Sequence, residues 1–216
     1  MTKVLVLIPT DFELQKLQPL LADAVMRADG VIRSCGFGAI VAGIRTTQLL
    51  AYYEPRAVVL VGIAGALGPH LPVGTATVFS RIACYGIGAG SGLNFETASE
   101  LGWPQWTDPE FGQSFGDVIE PAIESDPEAP AGPMLLTVCA ASGCTEDVAH
   151  RLRKFPHAVA EDMEAFSVAL ACRMARIPLT VIRGISNMAG DRDKANWNVT
   201  GALEAAAELA ALRIST

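Results

Sequence analysis

The sequence predicts an α/β fold in a single domain spanning residues 1–216, with a central, mostly parallel sheet covered by helices. Three observations carry that expectation. Short β-branched runs alternate with longer stretches whose apolar residues recur at helical spacing, the pattern of βαβ units. Half of the 216 residues are hydrophobic, which suits one substantial core better than two small ones. The stretch 160–197, AEDMEAFSVALACRMARIPLTVIRGISNMAGDRDKANW, runs from an acidic cluster through a helix and a buried strand into a polar turn. α/β proteins assemble pockets in that order, at the carboxyl ends of their strands.

Residues 3–8, KVLVLI, suit a buried first strand. Pro9, Thr10 and Asp11 break it and can cap a helix on which Leu14, Leu17, Leu20 and Leu21 share a face, with Pro19 expected to kink or shorten it. Glu13 falls in the first turn of this helix, where complementing the helix dipole would account for it equally well. Residues 31–35 form a second strand, followed by Gly36-Phe37-Gly38 and a helix through Tyr53. That GxG turn lacks a third glycine and a neighbouring Lys or Arg, so it reads as a tight turn rather than a phosphate cradle. Residues 57–64 are a continuous apolar strand ending in Gly62-Ile63-Ala64-Gly65, where glycine lets backbone approach a ligand.

Residues 75–83 read as one strand running into a glycine-rich loop. The segment 86–133, weakly periodic and carrying several prolines and two tryptophans, is expected to be a loop or lid insert, with 124–133 acidic and Pro- and Ala-rich. Residues 134–139 form another buried strand. Thr145 then caps a helix whose Val148, Ala149, Leu152 and Phe155 share a face, with His150, Arg151, Arg153 and Lys154 on or near its solvated side.

Glu161, Asp162 and Glu164 precede or open the apolar helical run of Ala165, Phe166, Val168, Ala169, Ala171, Cys172 and Ala175, which places them in its first turn. The small residues after Glu164 would pack closely and leave its carboxylate at the edge of a buried region, where a free charge is costly without work or a partner. Residues 177–185 are a central parallel strand, and its carboxyl end delivers Arg183, Ser186 and Asn187, although Ser and Asn are also ordinary turn formers. The last helix, 201–212, is Ala- and Leu-rich and could cover the sheet or pack on a second subunit.

Composition excludes several classes. A net charge of −7, with no long run among the 16 basic residues, argues against a nucleic-acid partner. The apolar N-terminal run is too short for a membrane span and no signal-peptide pattern follows it, which points to a cytoplasmic protein with no membrane partner. The five cysteines are odd in number and scattered, as expected of reduced core residues. Three histidines without ligand spacing predict no metal site, and no cofactor is expected.

EDMEA and RGISN together resemble the nucleoside phosphorylase and nucleosidase superfamily, whose methylthioadenosine/adenosylhomocysteine nucleosidase branch carries a Met-Glu on a helix and a strand ending in Ser-Asp. Here Asn187 stands where that Asp would be. The extension GISNMAGDRDKANW is similar instead to the futalosine hydrolase branch, whose members release hypoxanthine from futalosine in menaquinone synthesis. Weaker similarity runs through PTDFEL, CGFG and VGIAGAL. The resemblance implies a three-layer α/β/α domain with a mixed, mostly parallel twisted sheet, and a homodimer or higher homo-oligomer.

It also implies roles. Glu13 matches the general base for the attacking water, and Arg183 would help to orient that water. Glu164 matches the ribose-binding glutamate, with Met163 against the sugar and Asp162 beside it. Ala64 and Gly65 belong to the turn beside the ribose, and Ser186 and Asn187 form the end of the pocket strand. Cleaving a purine N-glycosidic bond builds positive charge on ribose and negative charge on the base, so the site needs carboxylates, a water and hydrogen bonds at N7. An asparagine offers one carbonyl acceptor and one NH₂ donor, which suits the N7–H and O6 of a 6-oxopurine and mismatches adenine. Absence of arginines from CGFGAI and VGIAGAL favours water over phosphate.

The leading expectation is therefore hydrolysis of futalosine. The rivals are a methylthioadenosine/adenosylhomocysteine-type or inosine-type nucleosidase or phosphorylase of the same fold, and an inactive nucleoside-binding module. Arg81, Arg192 and Lys194 are candidates for the 5′ carboxylate of futalosine. Asp191, Arg192, Asp193 and Trp197 carry no assigned chemistry, and Trp197 is read as a loop anchor.

Overall fold

A computed structural model describes residues 2–110, 112–121 and 132–215. Nine strands form one sheet: β1 (Val4–Ile8), β2 (Val31–Ser34), β3 (Ala57–Ala66), β4 (Ala76–Phe79), β5 (Arg81–Tyr85), β10 (Val118–Ile119), β11 (Met134–Val138), β12 (Ala158–Asp162) and β13 (Leu179–Met188). Two small hairpin sheets, β6 (Gly88–Ala89) with β7 (Glu96–Thr97) and β8 (Trp106–Thr107) with β9 (Ser114–Phe115), lie between β5 and β10. The main sheet runs β10-β5-β11-β12-β3-β1-β2, with β13 on β3 and β4 on β13. It is mostly parallel. Antiparallel pairing is confined to β10 on β5, β12 on β3 and β4 on β13.

Helices cover both faces. α2 (Ala39–Tyr53) and α4 (Ala165–Met174) bury Leu49, Leu50, Phe166, Val168 and Cys172 on one side, against Leu5, Leu60 and Val181. On the other side α1 (Asp11–Arg27) and α5 (Val199–Ile214) bury Leu17, Leu21, Leu203, Ala206 and Ala210 against Val6, Val61 and Ile182. The fifth helix, α3 (Thr145–Lys154), closes a smaller core in which Phe155 meets Ala83, Leu136 and Val138. Strands buried on both faces explain why their sequences read as continuous apolar runs.

Several expectations change. Pro19 neither kinks nor shortens α1, which runs through it for 17 residues. Pro19 and Leu20 face solvent, so the carbonyl that proline leaves without its usual donor can be hydrated. The run 75–83 is two strands divided at Ser80, because β4 pairs with β13 while β5 turns away to pair with β11. The acidic cluster does not lie in the first turn of a helix. Glu161 and Asp162 end β12, and Glu164 is the N-cap of α4. Cys35, Cys84 and Cys172 are buried, and burial pushes each thiol up to about 12. Cys139 and Cys144 are exposed, contrary to the core expectation. Most of 124–133 falls outside the described residues. Among the described residues no helix is long and apolar enough to cross a membrane.

Candidate active site

The carboxyl ends of β1, β3, β11, β12 and β13 meet around a cavity of about 290 Å³, where ligands bind in open α/β sheets. Its polar lining includes Thr10, Glu13, Ser142, Glu161, Asp162, Glu164, Ser186, Asn187 and Arg192. Its apolar walls include Phe12, Phe37, Ile63, Val138, Met163 and Trp197. Glu13, Glu164 and Asn187 therefore converge on one space, with Ala64 and Gly65 in its wall.

Glu13 caps α1 and faces the cavity at once. Its Oε2 accepts from the Thr10 backbone N–H (3.1 Å) and hydroxyl (2.6 Å), while the Thr10 hydroxyl oxygen accepts from the Glu13 N–H, a reciprocal capping box. Its Oε1 accepts from the Ile63 N–H at 2.9 Å, tying the start of α1 to the end of β3. Gly62 is required beneath it. A Cβ there would lie 2.7 Å from both Glu13 Oε1 and Arg183 Nη1.

Behind the cavity wall Arg183 is fully buried. Its Nε and Nη2 donate to Asp162 Oδ2 at 3.1 and 2.7 Å, and Nη2 lies 3.7 Å from Glu164 Oε2. Among the described residues Nη1 has no hydrogen-bond partner. Arg183 is absent from the cavity lining. Arg183, expected to help orient the attacking water, therefore has no face on the cavity, and its contacts are with the carboxylates around it. Asp162 also accepts from the Thr137 hydroxyl (2.7 Å) and the Ala165 N–H (3.0 Å), which fixes where α4 begins.

Glu164 accepts from the Gly38 N–H at 3.0 Å, so the turn before α2 is aimed at it. Gly38 has φ +82, a conformation that glycine adopts without strain. Burial pushes the Glu164 carboxyl up to about 7, the Asp162 charge adds to the shift, and Arg183 and the Gly38 N–H oppose it. Three carboxylates, Glu13, Asp162 and Glu164, thus gather around one guanidinium at this end of the cavity.

At the other end β13 shifts register against β3 between Ile185 and Asn187, which leaves Ser186 bulged. Bulges of this kind re-aim side chains beside active sites. Asn187 Nδ2 donates to the Met188 carbonyl at 2.8 Å, and its Oδ1 accepts from the Ser186 hydroxyl at 2.8 Å. This orients the amide and leaves it one further N–H and one further lone pair. Trp197 Nε1–H donates to the Asp191 carbonyl at 3.1 Å, and Arg192 stands over the indole at 5.3 Å. Trp197 thus anchors the loop while lining the cavity. Arg81 lies away from this cavity and Lys194 is not in its wall.

One group lies where its local sequence does not suggest. Arg151, expected near the solvated side of α3, is buried and ion-paired with Glu161. Its Nη1 also meets the Ser142 hydroxyl, and Nη2 donates to the Ala140 carbonyl at 2.6 Å. Glu161 accepts in addition from the Ser142 N–H (2.7 Å) and hydroxyl (2.8 Å). The partners lie about ten and twenty residues away in sequence, so only the charge run at 151–154 hinted at them, and it read as a solvated face. Among the described residues no cluster of three or more metal-ligating side chains occurs.

The model of the Phosphorylase superfamily matches residues 28–215. A 5′-methylthioadenosine/S-adenosylhomocysteine nucleosidase of Chromohalobacter salexigens is 30% identical over 169 residues, 74% of this chain and 67% of that protein. A futalosine hydrolase of Streptomyces coelicolor is 32% identical over 149 residues, 68% of this chain and 60% of that protein. Among solved structures, a futalosine hydrolase mutant of Helicobacter pylori aligns with TM-score 0.72 at 16% identity, covering 100% of this chain and 98% of that one. A 5′-methylthioadenosine/S-adenosylhomocysteine nucleosidase of the same organism aligns with TM-score 0.72 at 16% identity, over 99% and 98%. The fold is thus nucleoside phosphorylase-like. The family match begins after Glu13, whose place in the site rests on geometry. From residue 28 to residue 215, this chain belongs to the phosphorylase superfamily.

Proposed function

We propose that this chain hydrolyses the N-glycosidic bond of 6-oxopurine nucleosides, with futalosine as substrate and hypoxanthine as the base released. The observation that carries the reading is Asn187, held by Ser186 and Met188 at one end of a cavity whose other end holds Glu13 and Glu164.

The ionised Glu164 carboxylate accepts the ribose hydroxyls, and Met163 packs on the sugar. Positive charge growing on the ribose is stabilised by Glu13, Asp162 and Glu164, whose mutual repulsion Arg183 offsets from behind the wall. Fixed charges of this kind act strongly because they need no reorganisation as the bond breaks. Glu13, pinned through three donors, retains acceptor capacity for a water proton and serves as base. As the C1′–N9 bond breaks its electron pair passes to the purine, which takes a proton from solvent at N7; the Asn187 carbonyl accepts a hydrogen bond from that N7–H and its NH₂ donates to O6. Among the described residues Arg192 is the one cationic side chain in the cavity wall, a poor provision for phosphate and a better one for a substrate carboxylate, which favours water as the nucleophile.

A second reading, hydrolysis of methylthioadenosine or adenosylhomocysteine, draws on the relative that is 30% identical. Incubating purified protein with futalosine, inosine and methylthioadenosine, with and without phosphate, and separating the free bases by chromatography tests both. Hypoxanthine from futalosine without phosphate is expected; adenine from methylthioadenosine as the dominant product would replace the first reading with the second. Asn187→Asp should lower the 6-oxo over 6-amino preference by about 10²-fold, and an unchanged preference would detach Asn187 from base recognition.

A further inference from the structure

We propose that Glu161 reads the purine edge that carries N1, accepting the N1–H of a 6-oxopurine while Asn187 serves N7 and O6. This rests on the preceding reading of the cavity as a purine-nucleoside site.

The strand register places the two residues. Gly65 of β3 pairs with Glu161 of β12 on one side and with Asn187 of β13 on the other. Two strand spacings, about 10 Å, therefore separate their backbones. All three residues line the cavity. With no side chain at Gly65 between them, a flat base can lie along the span and meet a polar group at each edge.

Glu161 is also a costly residue to keep. It is buried, as is its partner Arg151, and burying an ion pair commonly stabilises a fold less than apolar packing of the same volume. A purely structural pair would exhaust its acceptors within the wall. This one does not: Oε2 takes the Ser142 hydroxyl and Arg151 Nη1, whereas Oε1 takes only the Ser142 N–H at 2.7 Å. A carboxylate oxygen accepts two hydrogen bonds, so Oε1 has one acceptor direction left. Arg151 balances the charge, and Ser142 holds the carboxylate from two sides.

An unprotonated carboxylate cannot donate. A 6-oxopurine carries a hydrogen on N1 and completes Oε1. A 6-aminopurine presents a lone pair at N1, leaving two acceptors face to face in a dry wall, the type of mismatch that sites discriminate against strongly. Glu161 and Asn187 therefore select for the same class of base from the two sides of its O6.

Wild-type protein tests this directly by calorimetry with hypoxanthine and 1-methylhypoxanthine, which lacks the N1 hydrogen. Binding should weaken at least about tenfold on methylation, and equal affinity overturns the proposal whether or not the protein turns any nucleoside over. Glu161→Gln, whose amide can present a donor to a bare N1, supplies the second measurement. The inosine over adenosine ratio of kcat/KM should fall about tenfold, while Asn187→Asp alone leaves a residual preference. A folded Glu161→Gln protein with an unchanged ratio also overturns it, and if that variant fails to fold the methylation comparison stands as the deciding result. Release of no base from any nucleoside by wild-type protein fails the preceding functional reading instead.

Discussion

Glu164 sits where its charge is both hardest to keep and most useful. Its folded carboxyl is raised to about 7, chiefly by burial, so the folded state binds its proton more tightly than the unfolded chain does. The stability this supplies is fully present below the ordinary carboxyl range near 4.5 and is lost as pH rises through about 7. Ligand-free protein should therefore lose melting temperature across that window, and Glu164→Gln should flatten the loss. Activity runs the other way. Only the ionised form accepts two ribose hydroxyls, so kcat/KM should climb with pH and level off above about 7; a profile flat from pH 5 to pH 8 would remove Glu164 from that role. Glu13→Gln makes a different demand. With its oxygen turned to Thr10, the new amide faces the Ile63 N–H, donor against donor, at a stability loss of about 1–2 kcal/mol. Turnover should drop at least about 10²-fold while calorimetry finds hypoxanthine binding nearly intact, and substantial residual turnover would end the base assignment. Glu164 stood out in the sequence because a carboxylate beside small apolar residues demands an explanation, whereas Glu13 read equally well as a partner of the helix dipole and Asn187 as a turn former, and the family resemblance alone singled them out. Glu161 and Arg151 were not legible, because each reads as solvated until the partner from a distant segment is in place.

The same division holds for elements. Buried strands announced themselves through apolar runs, and α1, α3 and α4 through their spacing, since each buries one face against the sheet or its edge. Failures occurred where tertiary partners override local pattern. AVAED of β12 carries two acids in five residues and forms a strand because Ser142, Arg151, Thr137 and Arg183 satisfy both carboxylates. Ser80 divides what reads as one strand because its two halves answer to β13 and β11. Packing also explains Gly184 in the middle of β13, a place where glycine is ordinarily unfavourable. A Cβ there would run into the backbone carbonyl of Ala202, the residue by which α5 lies on the strand. Gly184→Ala must push α5 away from the sheet, and should lose about 3 kcal/mol. For a chain of 216 residues that is a fall of roughly 6–12 °C in melting temperature. A calorimetric melting temperature within a degree of the wild type would show that α5 docks less closely than the geometry requires.

At the scale of the molecule, the surface around the cavity mouth is more apolar than a lone chain needs. Ile40, Val41, Ile44 and Tyr52 of α2 are all more than half exposed and recur at spacings of three, four and eight residues along one side of the helix. Phe37, just before the helix, and Phe12 are exposed too, and both line the cavity. Contiguous exposed apolar surface of this kind marks an interaction site. The homo-oligomer that the family resemblance implies would cover it with a second copy of the chain, as a symmetric oligomer does with a self-complementary patch. Light scattering should then give the mass of at least two chains of 22.7 kDa. Ile44→Glu, which buries a charge in the seam without touching the cavity lining, should shift that mass toward one chain. Because Phe37 stands just before that helix and also lines the cavity, dissociation should also raise KM for the nucleoside several-fold with kcat less affected. A wild-type protein that scatters as a single chain throughout the micromolar range would leave the stripe without its partner and the link between assembly and substrate binding without a basis.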